Sequence, residues 1–150
     1  MLKEFQGEYR WLSNFWPAKV KFRHIEFPTV ENAYQAAKCQ DWNDLKKFIN
    51  IKPGESKKLG RTIAIRQDWE ESKLLVMERL LLQKFPYDDD NTLTQKLIAT
   101  YPKEIQEGNL WHDTFWGINL RTGKGQNHLG KLIMRIREDI ARWRFAKDGI

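Results

Sequence analysis

The stretch from Trp69 to Phe85 constrains the fold more than any other. Apolar residues stand at Trp69, Leu74, Leu75, Val76, Met77, Leu80, Leu81, Leu82 and Phe85. Wound as an α-helix, they cover well over half of the circumference, so such a helix needs cover on more than one side. The spacing therefore places it at the centre of a core around which the remaining chain folds. Its start is marked by Asp68 with Glu71 three residues on, the form of a capping box. Its end is marked by Pro86 and the turn-forming run Asp88-Asp89-Asp90. Three adjacent carboxylates lack the spacing of a calcium loop, so that run carries no metal expectation.

The other segments read as shorter elements. Residues 1–27 look like short extended pieces, and Lys19 to Arg23 alternates polar with apolar, as a half-buried strand does. A helix is expected over Val30–Cys39 and a second over Trp42–Ile49, after which Pro53-Gly54 breaks the chain. Ser56 to Gly60 suits a short helix. Asn91 caps a helix that Tyr101-Pro102 stops, and Lys103 to Glu107 suits a short strand. Asn127 opens the last helix, whose Leu129, Leu132, Ile133, Ile136, Ile140 and Trp143 lie on one stripe. With no repeat, linker or low-complexity segment, the expectation is one mostly helical domain over residues 1–150 with a few short strands.

A chain of 150 residues with 41% apolar and 31% charged residues suits a globular protein with a real core. The single cysteine, Cys39, excludes an internal disulfide framework and a thiolate metal site. No run approaches the roughly 18 apolar residues of a membrane span, and no signal-peptide pattern is present, so a cytoplasmic protein without a membrane partner is expected. The formal charge of +6 leans towards an anionic partner, phosphate or nucleic acid. That lean is moderated by runs such as Arg135 to Asp139, where charges of both signs alternate on an ordinary solvated face. Seven Trp and eight Phe are many for this length, and tryptophan in such number suits a site that stacks flat ligands.

The chemistry concentrates in Pro28-Thr29-Val30-Glu31-Asn32-Ala33-Tyr34-Gln35-Ala36-Ala37-Lys38. Thr29 is placed as the N-cap, its hydroxyl accepting from a free amide of the first turn. At roughly 100° per residue, Glu31, Gln35 and Lys38 fall within about 60° of one another, putting an acid, an amide and an amine on one face. Ala33, Ala36 and Ala37 let the helix sit close to neighbouring backbone. The same spacing also suits a solvated face. Burial would lower the Lys38 pKa and Glu31 would raise it, so the sign stays open. Earlier in the chain, Ser13 and Asn14 stand at a turn framed by Trp11, Phe15 and Trp16; such a frame grips a sugar or base, or forms a small aromatic core. Lys124, between Gly123 and Gly125 just before a helix, suits a phosphate contact or an ordinary flexible turn, and the P-loop spacing is absent.

His24, His112 and His128 are scattered without an i,i+4 pair, which disfavours zinc, and no nucleophile elbow is present. What remains are Glu31, Glu107, Asp113 and Lys38 among aromatics. Two carboxylates in different environments suit acid–base cleavage of a glycosidic bond. An amine of depressed pKa suits imine formation with an opened sugar.

Leu12-Ser13-Asn14-Phe15, Phe27 to Lys38, Gly60-Arg61 with Asp68-Trp69, Glu107, Asp113 with Trp116-Gly117, and Asn127-His128-Leu129-Gly130 resemble, in order, the motifs of the NADAR (YbiA-like) family. The resemblance spans nearly the whole chain. It implies an α+β fold and N-glycosidase chemistry on ribosyl substrates: phosphoribosylamino-pyrimidines of riboflavin synthesis, or ADP-ribosylated guanine. By the same motifs Glu31 and Lys38 are catalytic, and Glu107 and Asp113 complete the catalytic set. By the resemblance Asn14, Phe15, Trp69, Trp116 and Asn127 hold the ligand; Ser13, Gln35, Arg61 and Gly117 from the same motifs, and Lys124 on its local setting, complete the expected substrate-binding set. One departure is Asn32, where histidine is common in the family. No cofactor and no metal are expected.

The alternative is a module that binds ADP-ribose or NAD without turnover. Retention of both Glu31 and Lys38 favours the enzyme, because binding alone has no need of an acid–amine pair. The partner is then a ribosyl-phosphate or ADP-ribosyl small molecule, or ADP-ribosylated nucleic acid, which the positive charge would suit.

Overall fold

The computed structural model describes residues 1–149. The α+β class holds, with six α-helices and four short strands among these residues. They form two compact units, residues 14–84 and residues 1–13 together with the chain from Phe85 onward.

In the first unit, β1 (Pro17–Phe22) and β2 (Ile25–Thr29) make an antiparallel hairpin with Val20 opposite Phe27. Its two-residue turn, Arg23-His24, has φ of 50° and 68°, the left-handed pair that matches the twist of the strands. β2 runs straight into α1 (Val30–Ala37). Thr29 is its N-cap as expected, the hydroxyl accepting from the Asn32 amide at 3.0 Å and donating to Asn32 Oδ1 at 2.6 Å. Asn32 Nδ2 donates to the carbonyls of Phe48 and Ile51, each at 2.8 Å, and so pins the next segment to the helix. α1 is shorter than expected, with Lys38 as its C-cap.

All eight residues of α1 are buried, and this helix, rather than the long one, lies at the centre of its unit. α4 (Trp69–Lys84) buries Trp69, Val76, Met77, Leu80, Leu81 and Lys84. Leu74 and Leu75 remain 39% and 53% exposed, which corrects the expectation of cover on several sides. The alanines explain the exchange. α1 has no large side chains at Ala33, Ala36 and Ala37 to hold neighbours off, so strands and helices close round it, while α4 packs on it with one stripe. Asp68 gives both carboxylate oxygens to Arg66, at 2.6 and 2.8 Å, and accepts from the Ser72 hydroxyl at 3.1 Å.

The expected helix over Trp42–Ile49 divides into α2 (Trp42–Leu45) and a 3-10 turn, Lys46–Phe48. Pro53 does not break the chain. It occupies the first turn of α3 (Pro53–Gly60), where its missing N–H costs no hydrogen bond.

In the second unit, residues 7–12 form a 3-10 helix rather than an extended piece, and Trp11 meets Phe85 edge-on at 6.3 Å. α5 (Thr92–Ala99) is capped by Asn91 as expected. The strand expected over Lys103–Glu107 reduces to a single parallel bridge between Leu2 and Ile105. The pairing shifts downstream, where β3 (Gly108–Asn109) runs parallel to β4 (Ile118–Asn119). α6 (His128–Lys147) buries the expected Leu129, Leu132, Ile133, Ile136 and Ile140, with Trp143 half-buried. Among the described residues no helix is long and apolar enough to cross a membrane.

Candidate active site

The acid and the amide of the α1 face are buried rather than solvated. Glu31 is 8% exposed and Gln35 4%. Gln35 Nε2 donates to Glu31 Oε1 at 3.0 Å, one turn along the helix. The Glu31 backbone N–H donates to the Asn14 carbonyl at 3.0 Å, anchoring the chain before β1 at the start of α1. Asn14 is itself buried, with Nδ2 against Met77 Sδ at 3.5 Å. Gly60 closes the far side of Gln35, because a β carbon there would overlap Gln35 Oε1.

Lys38 is half-buried at the end of this face. Its amine lies 5.4 Å from the centre of the Tyr34 ring, and Tyr34 meets Trp69 at 5.1 Å, tilted by 57°. The aromatic pair thus forms an apolar floor beneath the amine. The Lys38 pKa lies below the ordinary lysine value: burial lowers it most, Glu31 raises it, and Arg61, Lys57 and Lys73 lower it further. Burial and three neighbouring cations outweigh one carboxylate, which decides the sign. Arg61, the C-cap of α3, is exposed, as is Phe15 at 43%. Trp69 is buried against Tyr34, so its place is under the site.

A second polar cluster belongs to the other unit. Glu107 Oε2 accepts from Asn109 Nδ2 at 2.8 Å. The same amide donates to the Asp113 carbonyl at 2.9 Å, and Asn109 Oδ1 accepts from the Asp113 N–H at 3.1 Å. Asn109 therefore closes the 110–112 loop and holds the Glu107 carboxylate in one residue. Asp113 Oδ1 accepts from the N–H groups of Phe115 and Trp116, at 3.2 and 2.9 Å, which folds the turn carrying the aromatics. A side chain at Gly117 would overlap Glu107 Oε2 and its carbonyl.

Asn127 stands at the N-cap position of α6 with φ of 53°, yet its side chain makes no cap hydrogen bond. Its amide instead accepts from the Glu107 N–H and donates to the Ile105 carbonyl, both at 3.0 Å. In this structure it positions Glu107. Lys124 is exposed on the Asn119–Lys124 turn, and the Ser13 N–H closes the 3-10 helix on Arg10.

Glu31, Gln35, Lys38, Asn14, Arg61 and Trp69 thus belong to one unit. Glu107, Asp113, Trp116, Gly117, Lys124 and Asn127 belong to the other, as does Ser13. Two residues of these clusters escaped the sequence reading. Tyr34 had a signal, an aromatic residue inside an alanine-rich helix between Glu31 and Lys38. Asn109 had none, since a buried clamp and a surface-turn asparagine look alike in sequence. No group of three or more metal-binding side chains occurs among the described residues.

The profile of the NADAR domain matches residues 2–141. The chain is 34% identical over 139 residues to the N-glycosidase YbiA of Escherichia coli K12, covering 89% of this chain and 83% of that protein. It is also 34% identical over 138 residues to an N-glycosidase of Nostoc punctiforme, covering 88% and 86%. The chloroplastic riboflavin biosynthesis protein PYRR of Zea mays is 34% identical over 146 residues; the match covers 85% of this chain and 23% of that longer protein. The solution NMR structure of E. coli YbiA superimposes with a TM-score of 0.80 at 29% identity, covering 97% of this chain and 89% of that one. With its profile matched almost from end to end, the chain belongs to the NADAR family.

Proposed function

We propose that this protein is an N-glycosidase that hydrolyses the bond between a ribose, carrying phosphate or ADP, and a base or amine. The observation that carries the reading is a buried Glu31 carboxylate in the first turn of α1 together with a half-buried Lys38 amine of lowered pKa at the end of the same helix. Relatives named N-glycosidases and riboflavin biosynthesis proteins support the reaction class.

Glu31 and Lys38 suit a route through an imine. Opening of the ribose ring breaks the C1–O4 bond as the ring oxygen takes up a proton, and the neutral Lys38 amine adds to C1 of the resulting iminium. Glu31 takes the proton that the added amine sheds and passes it to the leaving nitrogen, and the C1–N bond to the base breaks. Water then adds to the lysyl imine, releasing the sugar aldehyde and the free amine. One water is consumed and one C–N bond is cleaved overall. Gln35 holds Glu31 in place, and Tyr34 keeps water from one side of the amine. We give Glu107 a second acidic role, following the family motif, and expect Glu107→Gln to lower turnover.

The test is incubation with a phosphoribosylamino-pyrimidine and, separately, with ADP-ribosylated guanine, followed by mass spectrometry of base and sugar. Release of the base from at least one class is expected. No release from either overturns the proposal.

A further inference from the structure

The last carbonyls of α1 decide where the Lys38 backbone stands. Those of Gln35 and Ala36 accept from the Lys38 and Cys39 N–H groups, at 3.3 and 3.1 Å. Those of Ala37 and Lys38 lie past the end of the helix ladder and need partners from elsewhere. Arg66 supplies both. Its backbone N–H donates to the Lys38 carbonyl at 2.8 Å, and its Nη1 to the Ala37 carbonyl at 3.5 Å. The Gln40 N–H donates to the Ala64 carbonyl at 3.0 Å, and Cys39 pairs with Ile65 in an antiparallel bridge, so residues 38–40 and 64–66 are zipped together. The last turn of α1 has no basic side chain, and the guanidinium meets the negative end of the helix dipole there.

No residue from 61 to 68 is buried, so the core does not hold this partner segment in place. Arg66 shapes it instead. Nε and Nη2 grip the two carboxylate oxygens of Asp68, at 2.6 and 2.8 Å. The Arg66 carbonyl accepts from the N–H of Trp69, the first residue of α4, at 3.2 Å. Trp69 is the ring against Tyr34, over which the Lys38 amine stands. One arginine therefore joins the backbone that carries the amine to the aromatic floor under it.

We propose that Arg66, locked by Asp68, is the positioning residue of the Lys38 amine and holds the end of α1 over the Tyr34–Trp69 floor. What the amine does there rests on the N-glycosidase reading. A fork of two charge-assisted hydrogen bonds fixes a guanidinium more firmly than a single contact would. Without the fork, the 61–68 segment loosens, the end of α1 loses a side-chain partner, and the amine swings towards water. A displacement of about 1 Å costs roughly 10²-fold in rate.

Placement of the amine is read without substrate, by reductive methylation with formaldehyde and cyanoborohydride across a range of pH, followed by mass spectrometry of the Lys38 peptide. The parent is compared with Arg66→Met and Asp68→Asn. The two side chains are 21% and 59% exposed, so both variants are expected to fold. Arg79→Met, at an exposed position of α4, is the charge control. Glu31, Arg61, Lys57 and Lys73, whose charges act on the same amine, are left in place throughout. The pH midpoint for Lys38 should rise in both clasp variants, because a freed amine regains water, and stay at the parental value in the control. In turnover, kcat should fall about 10- to 100-fold in the clasp variants with KM nearly unchanged. A merely structural role would lower the melting temperature and leave both readouts of the folded protein alone, so a parental midpoint or a parental kcat overturns the proposal. Should Arg66→Met melt below the assay temperature, Asp68→Asn decides by the same readouts. A raised midpoint in a protein that cleaves neither substrate class overturns the glycosidase reading and leaves the placement of the amine standing.

Discussion

Gln35 and Gly60 meet so closely that a β carbon on the glycine would occupy the place of Gln35 Oε1. The amide is thereby fixed with its Nε2 towards Glu31, at 3.0 Å. A residue of α3 thus sets the orientation of a carboxylate on α1. Gly60→Ala should displace Gln35, cost about 1–3 kcal/mol of stability through overpacking, and reduce kcat through loss of the Glu31 contact. Urea unfolding together with kcat measurement checks this; a variant with parental values of both would refute it.

Glu31→Gln keeps the volume and the helix but removes the charge. Turnover should fall about 10²–10⁴-fold while the melting temperature stays close to that of the parent. Near-parental turnover on a substrate that the parent cleaves would remove Glu31 from the catalytic set.

An imine at Lys38 is trappable. Borohydride added during turnover should leave the protein heavier by the reduced sugar, with the added mass on the peptide that contains Lys38. Lys38→Arg should abolish the adduct while keeping the positive charge. Turnover without any adduct would assign attack to water activated by Glu31, with Lys38 holding a hydroxyl or phosphate.

Lys84 makes stability depend on pH. Its side chain is 2% exposed, and burial lowers its pKa from 10.5 to about 7. Between those two values the unfolded chain holds a proton that the folded protein lacks, so stability rises with pH across that window. The limiting slope for one group is about 1.4 kcal/mol per pH unit. Urea midpoints measured from pH 7 to pH 10 should climb, and Lys84→Met should flatten the climb. Identical slopes in the two proteins would show that other groups set the dependence.

Asn109 serves Glu107 and the 110–112 loop at once. Asn109→Ala should remove its hydrogen bonds to Glu107 and Asp113 and cost about 1–3 kcal/mol. Limited proteolysis should then cut between residues 109 and 116 faster than in the parent, and an unchanged cleavage pattern would count against the clamp.

By itself the sequence determined what depends on neighbours a few residues away. The Thr29 cap, the Asn91 cap, the alternation in β1 and the shared face of Glu31, Gln35 and Lys38 all follow from helix and strand periods, which act within about one or two turns. The family motifs are legible for the same reason, being contiguous runs of residue types. Tertiary structure decided whatever depends on which surfaces meet. Leu74 and Leu75 have the character of core residues, yet they stay exposed because the small side chains of α1 draw the packing to that helix instead. Asn127 sits where a cap belongs, yet turns its amide to Ile105 and Glu107, about twenty residues back in the chain. The Lys38 pKa has the same origin: Lys57 and Arg61 from α3 and Lys73 from α4 reinforce burial against Glu31. Their charges are plain in the sequence, but Coulomb energy depends on distance and burial, and only the folded chain sets those.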